Sequence, residues 1–189
     1  MSDTTVKSNV HAKLTVSQLA VIGVMTAVTC ILAPMSLPIG PVPISLTNLA
    51  IYFALYVLGT TKGTISYLVY LLLGLVGLPV FSGFTSGPGK LFGPTGGYLI
   101  GFIPMAIIAG LVIDKWFTKK LACLLGMIAG TVVCYAFGTA WLAYQAGMDF
   151  QAALMAGVIP FLPGDLIKIV LAMLIGPQLR RQLIKANLF

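Results

Sequence analysis

The sequence predicts an all-α integral membrane protein of six transmembrane helices with both termini in the cytoplasm. Three observations carry that prediction. Apolar residues make up 59% of the 189-residue chain and charged residues 8%, against roughly a quarter charged in soluble domains. The apolar residues gather into six runs. The basic residues fall between alternate runs. With a mean hydropathy of +1.04, the surplus apolar surface needs a solvent that accepts it, and lipid does.

The runs cover residues 14–33, 45–58, 64–80, 98–113, 121–144 and 165–183. A membrane-spanning helix needs about 20 mostly apolar residues, so the second run is short for a straight span. Backbone groups in lipid must be satisfied within the segment, which makes these helices and not strands. Residues 1–13 are polar and lack a signal-peptide pattern. They are read as a cytoplasmic segment ahead of one six-helix domain over 14–189.

Charge orients the bundle. Lys7 and Lys13 precede the first run, Lys62 lies between the second and third, and Lys115, Lys119 and Lys120 lie between the fourth and fifth. Arg180, Arg181 and Lys185 close the chain. These nine of the eleven basic residues share one side if the runs number six, and an excess of Lys and Arg marks the cytoplasmic side. The net charge of +7 thus reads as topology and not as a nucleic-acid surface.

The opposite side carries loops of another kind: Pro34-Met-Ser-Leu-Pro-Ile-Gly-Pro-Val-Pro43, then 81–97, then a segment ending in Pro160-Phe-Leu-Pro-Gly-Asp165. They are rich in Pro, Gly and aromatics and poor in charge. Such loops form either ordered covers over a site or tight turns between closely spaced helices.

Two basic residues break the inside pattern. Lys168 follows Asp165 by three positions, so the two share a helix face about one turn into the membrane. A charge at mid-bilayer costs about 2.5–3.5 kcal/mol on insertion scales, so the pair is expected to face the bundle interior. It is either a structural ion pair at a helix end or a polar ligand site. Lys90, in the loop after the third run, is either a solvated lysine or an anchor for an anionic group. Asn48, Phe84, Tyr98 and Trp141 near the outer ends are further lining candidates, since pockets combine apolar walls with a few orienting polar groups. Phe92 and Tyr144 stand in the same zone. Small residues Ala20, Gly23 and Ala27 share one face of the first run, and Gly97-xxx-Gly101 and Gly126-xxx-Gly130 permit close helix packing.

Several constellations are absent. No Walker A loop exists, since Gly-Pro-Gly-Lys90 lacks the spacing. Cys30, Cys123 and Cys134 all lie inside apolar runs and show no metal spacing, and His11 is the single histidine. No nucleophile–base set occurs in the apolar region, and four acidic residues provide no proton relay. The sequence therefore predicts no enzyme, no metal and no cofactor, and no ATP coupling by this chain alone.

Four stretches carry a resemblance. Gly40-Pro-Val-Pro-Ile-Ser-Leu46, Tyr70-Leu-Leu-Leu-Gly-Leu-Val-Gly-Leu-Pro-Val-Phe81, Gly93-Pro-Thr-Gly-Gly-Tyr-Leu-Ile-Gly-Phe102 and Pro163-Gly-Asp-Leu-Ile-Lys168 resemble the BioY family, the biotin-specific S components of energy-coupling factor (ECF) transporters. The resemblance covers nearly the whole chain. It implies an S-component bundle in a bacterial cell membrane, with biotin bound near the outer face under the first, third and fifth loops. It implies partners: a transmembrane coupling protein, contacted through Ala20, Gly23 and Ala27, and two ATPase subunits. The strict Ala-xxx-Ala form is not met, because Val24 follows Ala20 by four and Gly23 pairs with Ala27. Asn48 stands where family members often carry glutamine. On this reading Asp165 accepts from the ureido N–H groups, Lys168 donates to the ureido oxygen, and Lys90 sits near the valerate carboxylate. Alternatives are capture of another vitamin, a membrane scaffold, or a membrane enzyme, the last lacking any reactive set.

Overall fold

The computed structural model describes residues 15–38 and 42–186. The segment 1–13 with Lys7, His11 and Lys13 lies outside the described residues, as do Gly40 and its two neighbours. The chain runs through α1 (Val16–Leu32), a hairpin of β1 (Ser36–Leu37) and β2 (Ile44–Ser45), α2 (Thr47–Val76), α3 (Pro88–Leu91), α4 (Gly96–Trp116) and α5 (Lys120–Ala146). It then enters α6 (Phe150–Gly157), a 3-10 turn at Ile159–Phe161 and α7 (Leu162–Lys185).

Thr15 opens α1 with a reciprocal capping box to Gln18, which satisfies two orphan donors at the helix start. The second and third apolar runs meet inside α2. Its thirty residues are divided at Gly59, where φ is 76° and ψ 178°. Only glycine enters that region freely, so the chain breaks there into helical pieces over 47–58 and 60–76. The turn expected around Lys62 is therefore a single-residue break, and Lys62 already lies in the second piece.

The stretches Gly96–Trp116, Lys120–Ala146 and Phe150–Lys185 are each long and apolar enough to cross a membrane, and α1 is apolar but shorter. Their outer faces match that environment. Val24, Ile31, Leu111, Leu125, Val132, Phe137 and Ile167 are exposed, while aromatic, aliphatic and small residues fill the interior. Tyr52, Tyr56, Tyr67 and Tyr70 of α2 are fully buried.

Helix α2 packs against α1, α4 and α7, and α4 runs along α5. The closeness of α4 and α5 has a plain cause. A Cβ on Gly101 would come within 3.1 Å of the Cys134 carbonyl oxygen, and one on Gly130 within 2.8 Å of the Met105 carbonyl oxygen. The small-residue motifs of these helices thus serve packing within the chain. Thr26 of α1 meets Ser66 of α2 hydroxyl to hydroxyl at 3.0 Å, a buried polar link between two apolar helices.

At one end of the bundle Asp114 gathers three segments. Its Oδ2 accepts from the Thr60 N–H at 2.8 Å and the Thr60 hydroxyl at 2.6 Å. Its Oδ1 accepts from Arg180 at 2.8 Å. A carboxylate from α4 thereby caps the helical piece that restarts after Gly59. Arg180 also lies over the Phe117 ring at 5.0 Å.

Candidate functional site

The other end of α7 carries the second ion pair. Helix α7 begins at Leu162 with Pro163 in its first turn, a position where the missing N–H costs nothing. This sets Asp165 and Lys168 on one inward face. Lys168 Nζ lies 2.9 Å from Asp165 Oδ1, and the two residues are 7% and 8% exposed. Asp165 Oδ2 accepts from the Tyr135 hydroxyl of α5 at 2.6 Å. Lys168 also donates to the Ser45 carbonyl of β2 at 2.6 Å. The buried charges are thus paired and hydrogen-bonded, as burial demands.

These groups form part of the wall of a cavity that combines apolar side chains with a few polar groups, as small-molecule pockets do. Val42, Pro43, Leu99, Phe102, Met105 and Phe161 supply apolar wall. Ser45, Thr47, Asn48, Ser82, Thr95, Tyr98, Thr131 and Tyr135 supply polar groups. Under this wall the Tyr52 hydroxyl sits 2.7 Å from that of Thr131, which holds Thr131 in place from below.

Of the residues anticipated from sequence, Asp165, Lys168, Asn48 and Tyr98 line this cavity together. Asn48 is 4% exposed, and its Oδ1 accepts from the Leu49 N–H at 3.1 Å. The Tyr98 hydroxyl donates to the Gly157 carbonyl at 3.0 Å. The Tyr98 ring fits because Gly138 lacks a side chain; a Cβ there would fall 2.2 Å from it.

Three other anticipated residues do not line it. Trp141 donates through Nε1 to the Gly93 carbonyl at 2.9 Å, tying the loop ahead of α4 to α5. Phe84 is 69% exposed with φ at 57°, and borders an outer groove with Pro34, Met35, Leu37 and Ile44. Lys90 lies on α3, where partial burial pushes its ammonium pKa down.

Tyr135, Thr131 and Thr95 line the cavity without standing out in the sequence. Thr131 and Tyr135 stand four apart on one face of an otherwise apolar run, and that spacing was the available signal. Ala20, Gly23 and Ala27 are exposed on α1, away from Ile22, Met25, Thr26 and Thr29, which are buried. A Cβ on Gly23 would meet nothing within 4 Å.

A helical bundle apolar on its outside, with an interior cavity bearing a buried ion pair, is the build of an integral membrane protein that houses a small molecule. The chain belongs to the BioY family, whose model matches residues 5–185. It is 41% identical over 165 residues to the biotin transporter BioY of Thermotoga maritima, covering 87% of this chain and 96% of that one. It is 36% identical over 169 residues to the biotin transporter BioY2 of Lactococcus lactis, covering 89% and 93%. The fold is similar to the crystal structure at 2.1 Å of the S-component for biotin from an ECF-type ABC transporter, with a TM-score of 0.77 and 34% identity over 88% of this chain and 92% of that one.

Proposed function

We propose that the chain is the S subunit of a biotin importer, capturing biotin at the extracellular side of the plasma membrane for ATP-driven uptake by ECF partner subunits. It acts as a carrier and not as an enzyme, and biotin is its cargo. The observation that carries the reading is the buried Asp165–Lys168–Tyr135 cluster in the cavity wall, in a chain whose relatives are biotin transporters. The ureido ring of biotin offers two N–H donors and one carbonyl acceptor. A carboxylate beside an ammonium presents the complementary pattern. Asn48 and Tyr98 complete the polar lining, and Phe102 and Met105 pack against the thioether ring and chain. Phe84 and Trp141 act on the cover, Trp141 by holding the Gly93 turn, and Lys90 is the cation of that loop.

The chain crosses the membrane six times with both termini inside. The break at Gly59 supports this count by turning α2 into two passes, and the basic residues at 115–120 and 180–185 support the orientation. The exposed face of Ala20, Gly23 and Ala27 meets the transmembrane coupling protein, which joins two ATPase subunits.

The test is equilibrium binding of biotin to the purified chain in detergent, with thiamin and riboflavin as controls. Biotin binds selectively and without ATP, and Asp165→Asn and Lys168→Ala each weaken it about tenfold or more. Undiminished binding by both variants removes the site reading. A well-folded preparation that binds no biotin removes the substrate.

A further inference from the structure

We propose that the corner between α4 and α5, at the end of the bundle remote from the cavity, binds the headgroup of an anionic phospholipid. Lys115, Lys119 and Lys120 supply the charge and Trp116 an interfacial ring. Leu111, Leu121 and Leu125 give a seat for an acyl chain. The inference rests on the membrane residence of the chain and not on the identity of its small-molecule ligand.

The three lysines fall within one short stretch and all are exposed. Asp114 beside them is already taken by Thr60 and Arg180. The other acidic side chains among the described residues are Asp149, which caps α6, and Asp165, which pairs with Lys168. Among the described residues no carboxylate forms an ion pair with these lysines. Fixed positive charge without a counter-charge in the protein draws an anion from outside it.

The corner holds that charge in one place. The Lys119 N–H closes the turn by donating to the Trp116 carbonyl at 2.8 Å. The Cys123 thiol donates to the same carbonyl at 3.3 Å, and the Cys123 N–H donates to the Lys119 carbonyl at 3.1 Å. The Lys115 ammonium lies 4.5 Å from the centre of the Trp116 ring, a cation–π contact that restrains a long side chain. Arg180, over the Phe117 ring, fastens the corner to α7.

The surface beside the charges favours a lipid over a water-soluble acid. Trp116 is exposed at the end of α4, where an indole suits the headgroup level of a bilayer. Leu111 stands one turn before Lys115, Leu121 follows Lys120, and Leu125 lies a turn further on; all three are exposed. Bare apolar surface therefore begins within one helical turn of the cations. Phosphate and acyl chain follow each other in the same order in a phospholipid. Topology alone asks only for an excess of Lys and Arg, not for a pinned turn with an indole and leucines beside it.

The experiment titrates the purified chain in neutral detergent with phosphatidylglycerol or phosphatidylcholine carrying the same brominated acyl chains, which quench a nearby indole. Trp116 and Trp141 are the two indoles, and Trp141 is held at the cavity end by the Gly93 carbonyl. Phosphatidylglycerol quenches the wild type at a concentration about tenfold lower than phosphatidylcholine, and Trp116→Phe removes that difference. Lys119→Gln alone costs about fivefold for phosphatidylglycerol. The combined Lys115→Gln, Lys119→Gln and Lys120→Gln variant shows no preference. Lys62→Gln, Arg181→Gln and Lys185→Gln together remove the same charge but keep the preference within about twofold. An unchanged melting midpoint in lipid-free detergent reports an intact fold in each variant. Equal loss in the two combined variants shows general charge attraction and overturns the inference, as does a wild type that does not discriminate between the lipids. Displacement of phosphatidylglycerol by an equal concentration of glycerol phosphate overturns the acyl seat. A corner variant that keeps its lipid preference but no longer co-purifies with ECF subunits assigns the corner to a protein partner, which also overturns it.

Discussion

The Tyr135 hydroxyl donates to Asp165 Oδ2 at 2.6 Å, while Lys168 holds Oδ1 of the same carboxylate at 2.9 Å. Each oxygen is thus fixed by a different helix position, and the carboxylate cannot rotate without breaking one contact. An ionised carboxylate has about four acceptor sites, so two remain for a ligand in a defined direction. Tyr135→Phe removes one restraint without changing the ring. Biotin binding in detergent weakens about tenfold, while melting of the ligand-free chain moves little. Unchanged affinity in Tyr135→Phe shows that Asp165 needs no such orientation.

At the far end of α7, Asp114 joins Thr60, Arg180 and the break at Gly59. Its side chain is 37% exposed and that of Arg180 9%, so loss of the carboxylate strips hydrogen bonds from the more buried partner. Asp114→Ala lowers stability by about 1–3 kcal/mol, seen as a fall of several degrees in the melting midpoint in detergent. Asp114→Asn falls less, because the amide oxygen still accepts. An alanine variant that melts with the wild type shows that the cluster is ornamental.

Gly23 faces outward with open space around it, so a larger side chain disturbs no internal packing. Gly23→Leu leaves biotin binding by the isolated chain unchanged and reduces uptake in cells that express the ECF partners by about tenfold. Equal uptake by variant and wild type places the partner contact elsewhere on the chain.

The apolar runs that become α4, α5 and α7 are legible because each is a sustained apolar stretch that ends near charge or turn residues. The hairpin and α6 are not, since two-residue strands and an eight-residue helix between longer runs carry little periodicity. The gap at 59–63 between the second and third runs contains the break, which Gly59 makes in a conformation open to glycine, while Lys62 belongs to the helical piece that follows. Asp165 and Lys168 stood out because charge inside an apolar run is costly, and Asn48 because an amide there needs a partner. Tyr135 is not legible as a site residue because a tyrosine in an apolar run is ordinarily core. Phe84 and Trp141 stand near outer helix ends and Lys90 breaks the inside charge pattern, but position along the chain does not say which way a side chain turns.

Helix α7 carries Asp165 and Lys168 near one end and Arg180 near the other. The fifteen-residue interval between Asp165 and Arg180 corresponds to about 22 Å of rise. Adding or deleting one residue between them would swing one end by about 100° relative to the other. Only one of the two ion pairs could then form. The helix is in effect a gauge with a mating part at each tip, and its length tolerates no adjustment in evolution except by changes at both tips together.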